Sequence, residues 1–280
     1  MIEKDLAAGS IRAVERAFTL LDVLARSDRS LTLTELSVRT DMSKATVIRF
    51  LASLEQWSLV QKIQTGYQLD VGTLPLAYAF LMNDSLNRAA LPVLQQVALN
   101  TQETVTMYVR AGMERVVVQR VEGRTPFAHT LPVGQRLPLL LGAPGLVLAA
   151  SMQVADRYAL LEHHPEVVLA NGQRLDRPAL EARLDEVAQQ GYAISRSERL
   201  QQIFAVAAPV RTSDQTVKAA VGITAHEKRV TPEQVETLVE EVMRAARTIG
   251  EASGAWSTGQ QGLNVSAEPV AARRSRQRQD

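Results

Sequence analysis

Residues 31–51 read LTLTELSVRTDMSKATVIRFL. Thr32 and Glu35 stand at the spacing of a capping box, in which a hydroxyl and a carboxylate each serve a backbone N–H left open at a helix start. The spacing predicts a short helix from near Leu33 that stops near Thr40, before Asp41-Met42. Ser43 is placed to cap a second helix by accepting from its unpaired N–H groups. That helix reads from Lys44 to about Gln56, with Val47, Phe50, Leu51 and Leu54 on its apolar face. Lys44, Ala45, Ile48, Arg49 and Ala52 point away from that face. Two short helices joined by a tight turn, the second basic at its start, suggest a helix-turn-helix.

On the upstream side, residues 10–26 carry Ile11, Val14, Ala17, Phe18, Leu21 and Leu24 at helical spacing, which predicts a helix with one apolar face. On the downstream side, residues 59–63 alternate, Gln64-Thr65-Gly66 reads as a turn, and Tyr67-Gln68-Leu69 returns. A hairpin after the third helix makes the arrangement winged. A helix that reads DNA must carry small or hydrogen-bonding side chains in its first turn, where base edges are reachable. Ser43, Lys44, Ala45, Thr46 and Arg49 meet that demand. Lys62, Thr65 and Tyr67 can touch phosphate or sugar from the wing. The alternative is a small helical bundle in which Lys44 and Arg49 are merely solvated. Local charge favours DNA only weakly, since Lys44, Arg49 and Lys62 face Glu55.

The whole chain has 280 residues, 46% of them hydrophobic, and a formal net charge of +1. Its length favours two domains. It contains no cysteine, which excludes disulfides, zinc–thiolate sites, iron–sulfur clusters and a cysteine nucleophile. The N-terminus has no apolar signal-peptide core. The apolar run 137–152 is interrupted by Pro138, Gly142, Pro144 and Gly145 and is too short to span a membrane. It reads as a buried strand, a turn and a core helix. A cytoplasmic protein without a membrane partner is expected.

Residues 10–21, SIRAVERAFTLL, together with LTLTEL at 31–36 and SKATVIRFL at 43–51, resemble the DNA-binding region of IclR-type transcriptional regulators. Leu54-Glu55, Leu59-Val60 and GYQL at 66–69 resemble that family's wing. The similarity continues through VGQRLPL at 133–139, Gly191-Tyr192-Ala193, Ser197-Glu198-Arg199 and AAPV at 207–210. The resemblance implies an α+β chain: a winged helix-turn-helix domain at 10–71, a linker helix at 72–86, and a GAF-like effector domain at 87–254. It implies a palindromic double-stranded DNA operator as partner. The candidate DNA contacts are Thr34, Ser43, Lys44, Ala45, Thr46, Arg49, Lys62, Thr65 and Tyr67. It also implies a homodimer or homotetramer, joined through the first helix and the linker helix.

In the second half, residues 85–101 read as a helix containing Pro92, and 104–110 with 116–121 as a hairpin. A further strand is expected at 127–131, helices at 145–151 and 156–161, and an amphipathic helix at 180–190 ended by Gly191. Strands follow at 203–210 and 217–224. Thr231 caps a final helix, with Pro232 in its first position and Gln234 completing the box, running to about Ile249. Hairpins flanked by helices suggest an antiparallel sheet with helices packed on it.

No nucleophile elbow, phosphate-binding loop, dinucleotide fingerprint or H-E-x-x-H stands in the sequence. His163-His164 before Pro165 reads as a helix end, and adjacent side chains do not converge on a metal. No cofactor is expected, and no catalysis. An enzyme acting on a small acid and a protein-binding adaptor are the rival classes.

The family resemblance places an effector, a small organic acid, in the second domain. The matching positions are Ala143, Gly145, Ser195, Ala205, Gly222 and Thr224, with Phe127, His129 and Leu137 as an apolar wall. His129 taken alone reads by default as a core or surface histidine, with a donor to a pocket ligand as the alternative. Pro144 removes one N–H from the helix start, and Leu146 stands where the family often has a basic residue. A partly apolar acid, such as an aromatic one, is therefore favoured over a very small polar one. Residues 255–280 are poor in apolar residues, end in Arg273, Arg274, Arg276 and Arg278, and read as a disordered tail.

Overall fold

The computed structural model describes residues 11–124 and 131–259, with side chains described as far as Ser253. The chain divides between Asp84 and Ser85 into two compact units.

The first unit opens with α1 (Arg12–Ala25). It continues through α2 (Leu33–Thr40) and α3 (Lys44–Gln56), whose ends are set by polar caps. Thr32 and Glu35 form the full capping box, and the Ser43 hydroxyl accepts from the Thr46 N–H. Strands β1 (Val60–Ile63) and β2 (Gly66–Leu69) pair antiparallel around Gln64-Thr65. Leu20, Leu31, Leu36, Val47 and Leu51 are almost fully buried in one cluster. Each such side chain contributes about 1.5–3 kcal/mol by leaving water.

The predicted apolar face of α1 is buried only in its second half: Leu24 enters the core and Leu21 packs against it, joined by Leu20, which was not on that face, while Ile11, Val14 and Phe18 are exposed. The helix carries two apolar stripes, and intrachain packing uses one. After a single 3-10 turn comes α4 (Leu74–Asn83), which has no buried residue.

The second unit begins with α5 (Ser85–Thr101), which keeps Pro92 inside it. Hairpin strands β3 (Thr104–Ala111) and β4 (Glu114–Val121) follow, then β5 (Arg136–Pro138). The apolar run resolves into β5, a turn and α6 (Ala143–Ala150). Next come α7 (Val154–His163), a small hairpin of β6 (Glu166–Val168) and β7 (Arg174–Asp176), and α8 (Arg177–Gln190). Strands β6 and β7 were not expected, because three residues without a longer apolar run show no alternation to read. Strands β8 (Ala193–Arg196), β9 (Ile203–Arg211) and β10 (Val217–His226) complete the sheet. The final helix α9 (Pro232–Gly259) runs past its expected stop at Ile249 and into the expected tail. Gly250 does not end it, because no left-handed cap forms there. The rest of the expected tail lies outside the described residues, as do the expected strand residues 127–130.

The main sheet is antiparallel throughout, in the order β5-β4-β3-β10-β9-β8. Helices α5 and α9 cover one face through Leu94, Leu238, Val242 and Ile249. Helices α6, α7 and α8 cover the other through Leu146, Leu160, Leu180 and Leu184. No helix among the described residues is long and apolar enough to cross a membrane.

Candidate DNA interface and effector site

The first turns of α3 present Ser43, Lys44, Ala45 and Arg49 to solvent. Neither Lys44 nor Arg49 has an ion-pair partner among the described residues. Thr46 is half-buried, with its hydroxyl 2.9 Å from that of Ser43. It therefore helps hold the cap while standing beside the exposed turn. Thr34 is exposed on α2.

Glu35 fixes the approach of α2 to its neighbours. It accepts from the Thr32 N–H at 2.8 Å and from Arg29 at 2.6 Å. The Arg29 bond and the Thr32 amide hold its carboxyl at about 2, well below the usual 4.5. Leu31 is bridged to Tyr67 by reciprocal backbone hydrogen bonds of 2.9 and 2.8 Å, which staples the wing to the strand before α2. Gly66 adopts φ +143° against the Leu31 backbone, and a side chain there would collide with the Leu31 carbonyl.

On the wing, Lys62 and Thr65 are exposed and Tyr67 is half-buried against the core. Thr65 bonds the Ser30 hydroxyl at 2.7 Å, and the Lys62 ammonium lies 5.9 Å from the centroid of the Tyr67 ring. Lys62 has no ion-pair partner among the described residues, and the Tyr67 ring lies beneath its ammonium.

In the second unit, Ala143, Gly145, Ser195 and Gly222 meet at the start of α6. The Ser195 hydroxyl accepts from the Ala143 N–H at 3.0 Å, and a Glu198 oxygen accepts from the Gly142 N–H at 3.1 Å. Glu198 also takes a close ion pair from Arg183. The open N–H groups of this helix start are therefore satisfied from within the protein, an arrangement that favours negative charge there. Gly222 lies beneath Pro144, whose ring would be 2.9 Å from an added Cβ. Gly145 makes room for the Arg115 guanidinium and the Leu139 carbonyl, so no side chain fits there. Leu137 and Ala205 are buried in the same apolar cluster. Phe127 and His129 lie outside the described residues.

Among the effector residues expected from sequence, Thr224 lines the cavity beside this helix start. The other lining residues include Thr104, Thr106, Arg120, Arg199 and Leu131. The cavity measures about 20 Å³, room for about one water. Thr104 and Thr106 are buried and pair with Thr224 and Gly222 across the sheet, so their hydroxyls share its cavity face. Arg115 lies deeper on that face, 2% exposed and 5.5 Å from the Tyr108 ring centroid. Burial lowers its pKa from 12.5 to about 10, with the charge of Arg199 adding to the effect and Tyr108 and Glu198 opposing it. Burial also lowers the pKa of Arg199.

Sequence reading missed these threonines and arginines. Thr104 and Thr106 did stand at alternate positions of a predicted strand, which was the available signal. Arg120 gave none, because a register shift along β4 decides its side of the sheet. His163, at the end of α7, bonds the Ala159 carbonyl through its ring at 2.8 Å. No group of metal-binding side chains appears among the described residues.

Known proteins share this architecture. Residues 13–63 match the family described as the IclR helix-turn-helix domain, and residues 78–251 match the bacterial transcriptional regulator IclR C-terminal domain. The chain is 27% identical to the HTH-type transcriptional regulator KipR of Bacillus subtilis, over 87% of this chain and 97% of that one. It superposes on an IclR transcriptional regulator from Alicyclobacillus acidocaldarius with a TM-score of 0.77 and 26% identity, covering 89% and 99% of the two chains. An IclR homologue from Microbacterium hydrocarbonoxydans, solved in complex with 4-hydroxybenzoate, aligns with a TM-score of 0.73 at 21% identity, covering 87% and 99%. The two matched domains span most of the chain and agree with the winged unit and the sheet unit, so the protein belongs to the IclR family of DNA-binding transcriptional regulators and is not an enzyme.

Proposed function

We propose that the protein binds a palindromic operator in double-stranded DNA as a dimer or tetramer, in the cytoplasm, and changes its hold on that operator when a small organic acid enters the sheet unit. The observation that carries the DNA half is the exposed, unpartnered pair Lys44 and Arg49 at the capped start of α3. A helix start presenting short polar side chains and cations fits the major groove.

Oligomer formation is supported by α4. Leu74, Leu76, Tyr78, Phe80 and Met82 are all exposed, between 44% and 66%, on a helix that buries nothing. Ile11, Val14 and Phe18 add a second exposed stripe on α1. Contiguous exposed apolar surface of this kind marks an association site, and a second copy brings a second α3. Two such helices about 34 Å apart enter successive major grooves on one face of the duplex.

The acid half is supported by the electropositive cavity beside α6 and by the likeness to the 4-hydroxybenzoate complex. An acid that binds one arrangement of the dimer more tightly than the other shifts operator affinity by that difference. Footprinting of the purified chain on genomic fragments tests the proposal. Protection of two symmetric half-sites, altered by an organic acid, is expected. Absence of sequence-selective protection overturns it.

A further inference from the structure

The charge around the cavity beside α6 narrows the class of acid, provided the effector reading above holds. Arg120 and Arg199 line the cavity, and Arg115, outside its lining, stands on the same face of the sheet. The Nε atoms of Arg115 and Arg120 are both buried and without a hydrogen-bond partner among the described residues. Arg115 donates to the Pro138 carbonyl, and Arg120 reaches Glu122 at 3.4 Å, a carboxylate 63% exposed to water. Arg199 has neither hydrogen bond nor ion pair among the described residues. The nearest buried carboxylate, Glu198, is held by Arg183 and by the Gly142 N–H.

Guanidinium groups withdrawn from water are stable beside anions, and their planar forks suit paired carboxylate or phosphate oxygens. A single carboxylate answers one fork and leaves the second cation desolvated. We infer that the effector is a small dianion, its two charges divided between Arg199 and the Arg115–Arg120 side of the cavity, with the hydroxyls of Thr104, Thr106 and Thr224 donating to its remaining oxygens. A dicarboxylate and a phosphate monoester share this chemistry. The cavity is water-sized in this state, so the long side chains of Arg120 and Arg199 swing to receive the ligand.

Calorimetric titration of the full-length protein with matched pairs tests this: succinate against butyrate, adipate against hexanoate, and glycerol 3-phosphate against glycerate. In at least one pair the dianion is expected to bind about tenfold tighter or better, and the pair that shows it separates the dicarboxylate from the phosphate source. In Arg199→Gln that preference is expected to collapse, with the monoanion affinity little changed. Arg120→Gln is the second variant, used if the first melts before the parent. Equal affinity within every pair overturns the dianion and leaves the acid-responsive reading standing. Binding by no acid of either charge overturns both. A preference that survives in a folded variant overturns the assignment to these arginines.

Discussion

The Ser195 hydroxyl accepts the Ala143 N–H at 3.0 Å, tying strand β8 to the first residue of α6 in a buried setting. An unsatisfied buried donor costs about 1–3 kcal/mol. Ser195→Ala leaves the Ala143 N–H without its acceptor and is expected to lower stability by that amount, measured by urea denaturation. Ser195→Thr, which keeps an acceptor, tests whether the loss comes from the bond. A stability equal to the parent in Ser195→Ala would mean that the tie contributes nothing.

Glu198 joins two elements, since it serves the Gly142 N–H and the Arg183 guanidinium together. Breaking a buried ion pair from one side costs about 3–5 kcal/mol, and Arg183, 22% exposed, recovers some of that from water. Glu198→Ala is expected to cost more than Ser195→Ala, with Glu198→Gln between them because its amide oxygen still accepts from Gly142. Denaturation midpoints of the three variants give the order.

Arg49 stands on the exposed face of α3 without an ion-pair partner. Replacing a base-reading arginine costs about 1–3 kcal/mol of operator affinity. Arg49→Ala is expected to weaken operator binding by roughly tenfold or more at fixed salt, in a gel shift. Lys62→Ala, if it removes a phosphate contact, lowers the slope of log affinity against log salt by about one. Effector binding is expected to be unchanged in both.

The Glu35 carboxyl titrates near 2, chiefly because Arg29 and the Thr32 amide bind its charged form. A carboxyl with a depressed pKa contributes stability fully present above its ordinary 4.5 and lost as pH falls towards 2. Glu35→Ala is therefore expected to melt below the parent near neutral pH. The gap should narrow between pH 4.5 and 2, read by circular dichroism across that range. A gap independent of pH would place the effect elsewhere than in this charge.

Helix α4 exposes Tyr78 and Phe80. Phe80→Glu puts a charge on that apolar surface, which an interface between copies does not accommodate. The variant is expected to shift towards monomer in sedimentation velocity and to lose affinity for a two-half-site operator. It should keep the fold of each unit.

The winged unit was largely legible in residues 31–69, because caps act locally. Thr32, Glu35 and Ser43 satisfy N–H groups three residues away, so their roles are written in short spacings. The buried face of α1 was legible only in part: Leu21 and Leu24 pack as expected, but Ile11, Val14 and Phe18 are as apolar as the buried Leu20. Only the position of α2 and α3 decides which stripe is covered. In the second unit, the hairpins, α8 and the Thr231 capping box could be read, while the short strands β6, β7 and β8 could not.

The candidate effector cavity lies beyond what sequence alone can read. Alternation along β4 puts Arg115 and Val117 on one side of the sheet and predicts Arg120 on the other. The pairing instead passes from Tyr108↔Val117 to Met107↔Gln119 and skips Val118. That single extra residue, a β-bulge, turns Arg120 to the side of Arg115, opposite Thr106. The sequence by itself determined the capped helices, the wing and the family they mark, because those signals lie within a few residues of one another. The cationic character of the cavity was decided by the tertiary structure, because a bulge is set by how two strands pair and not by the residues of either alone.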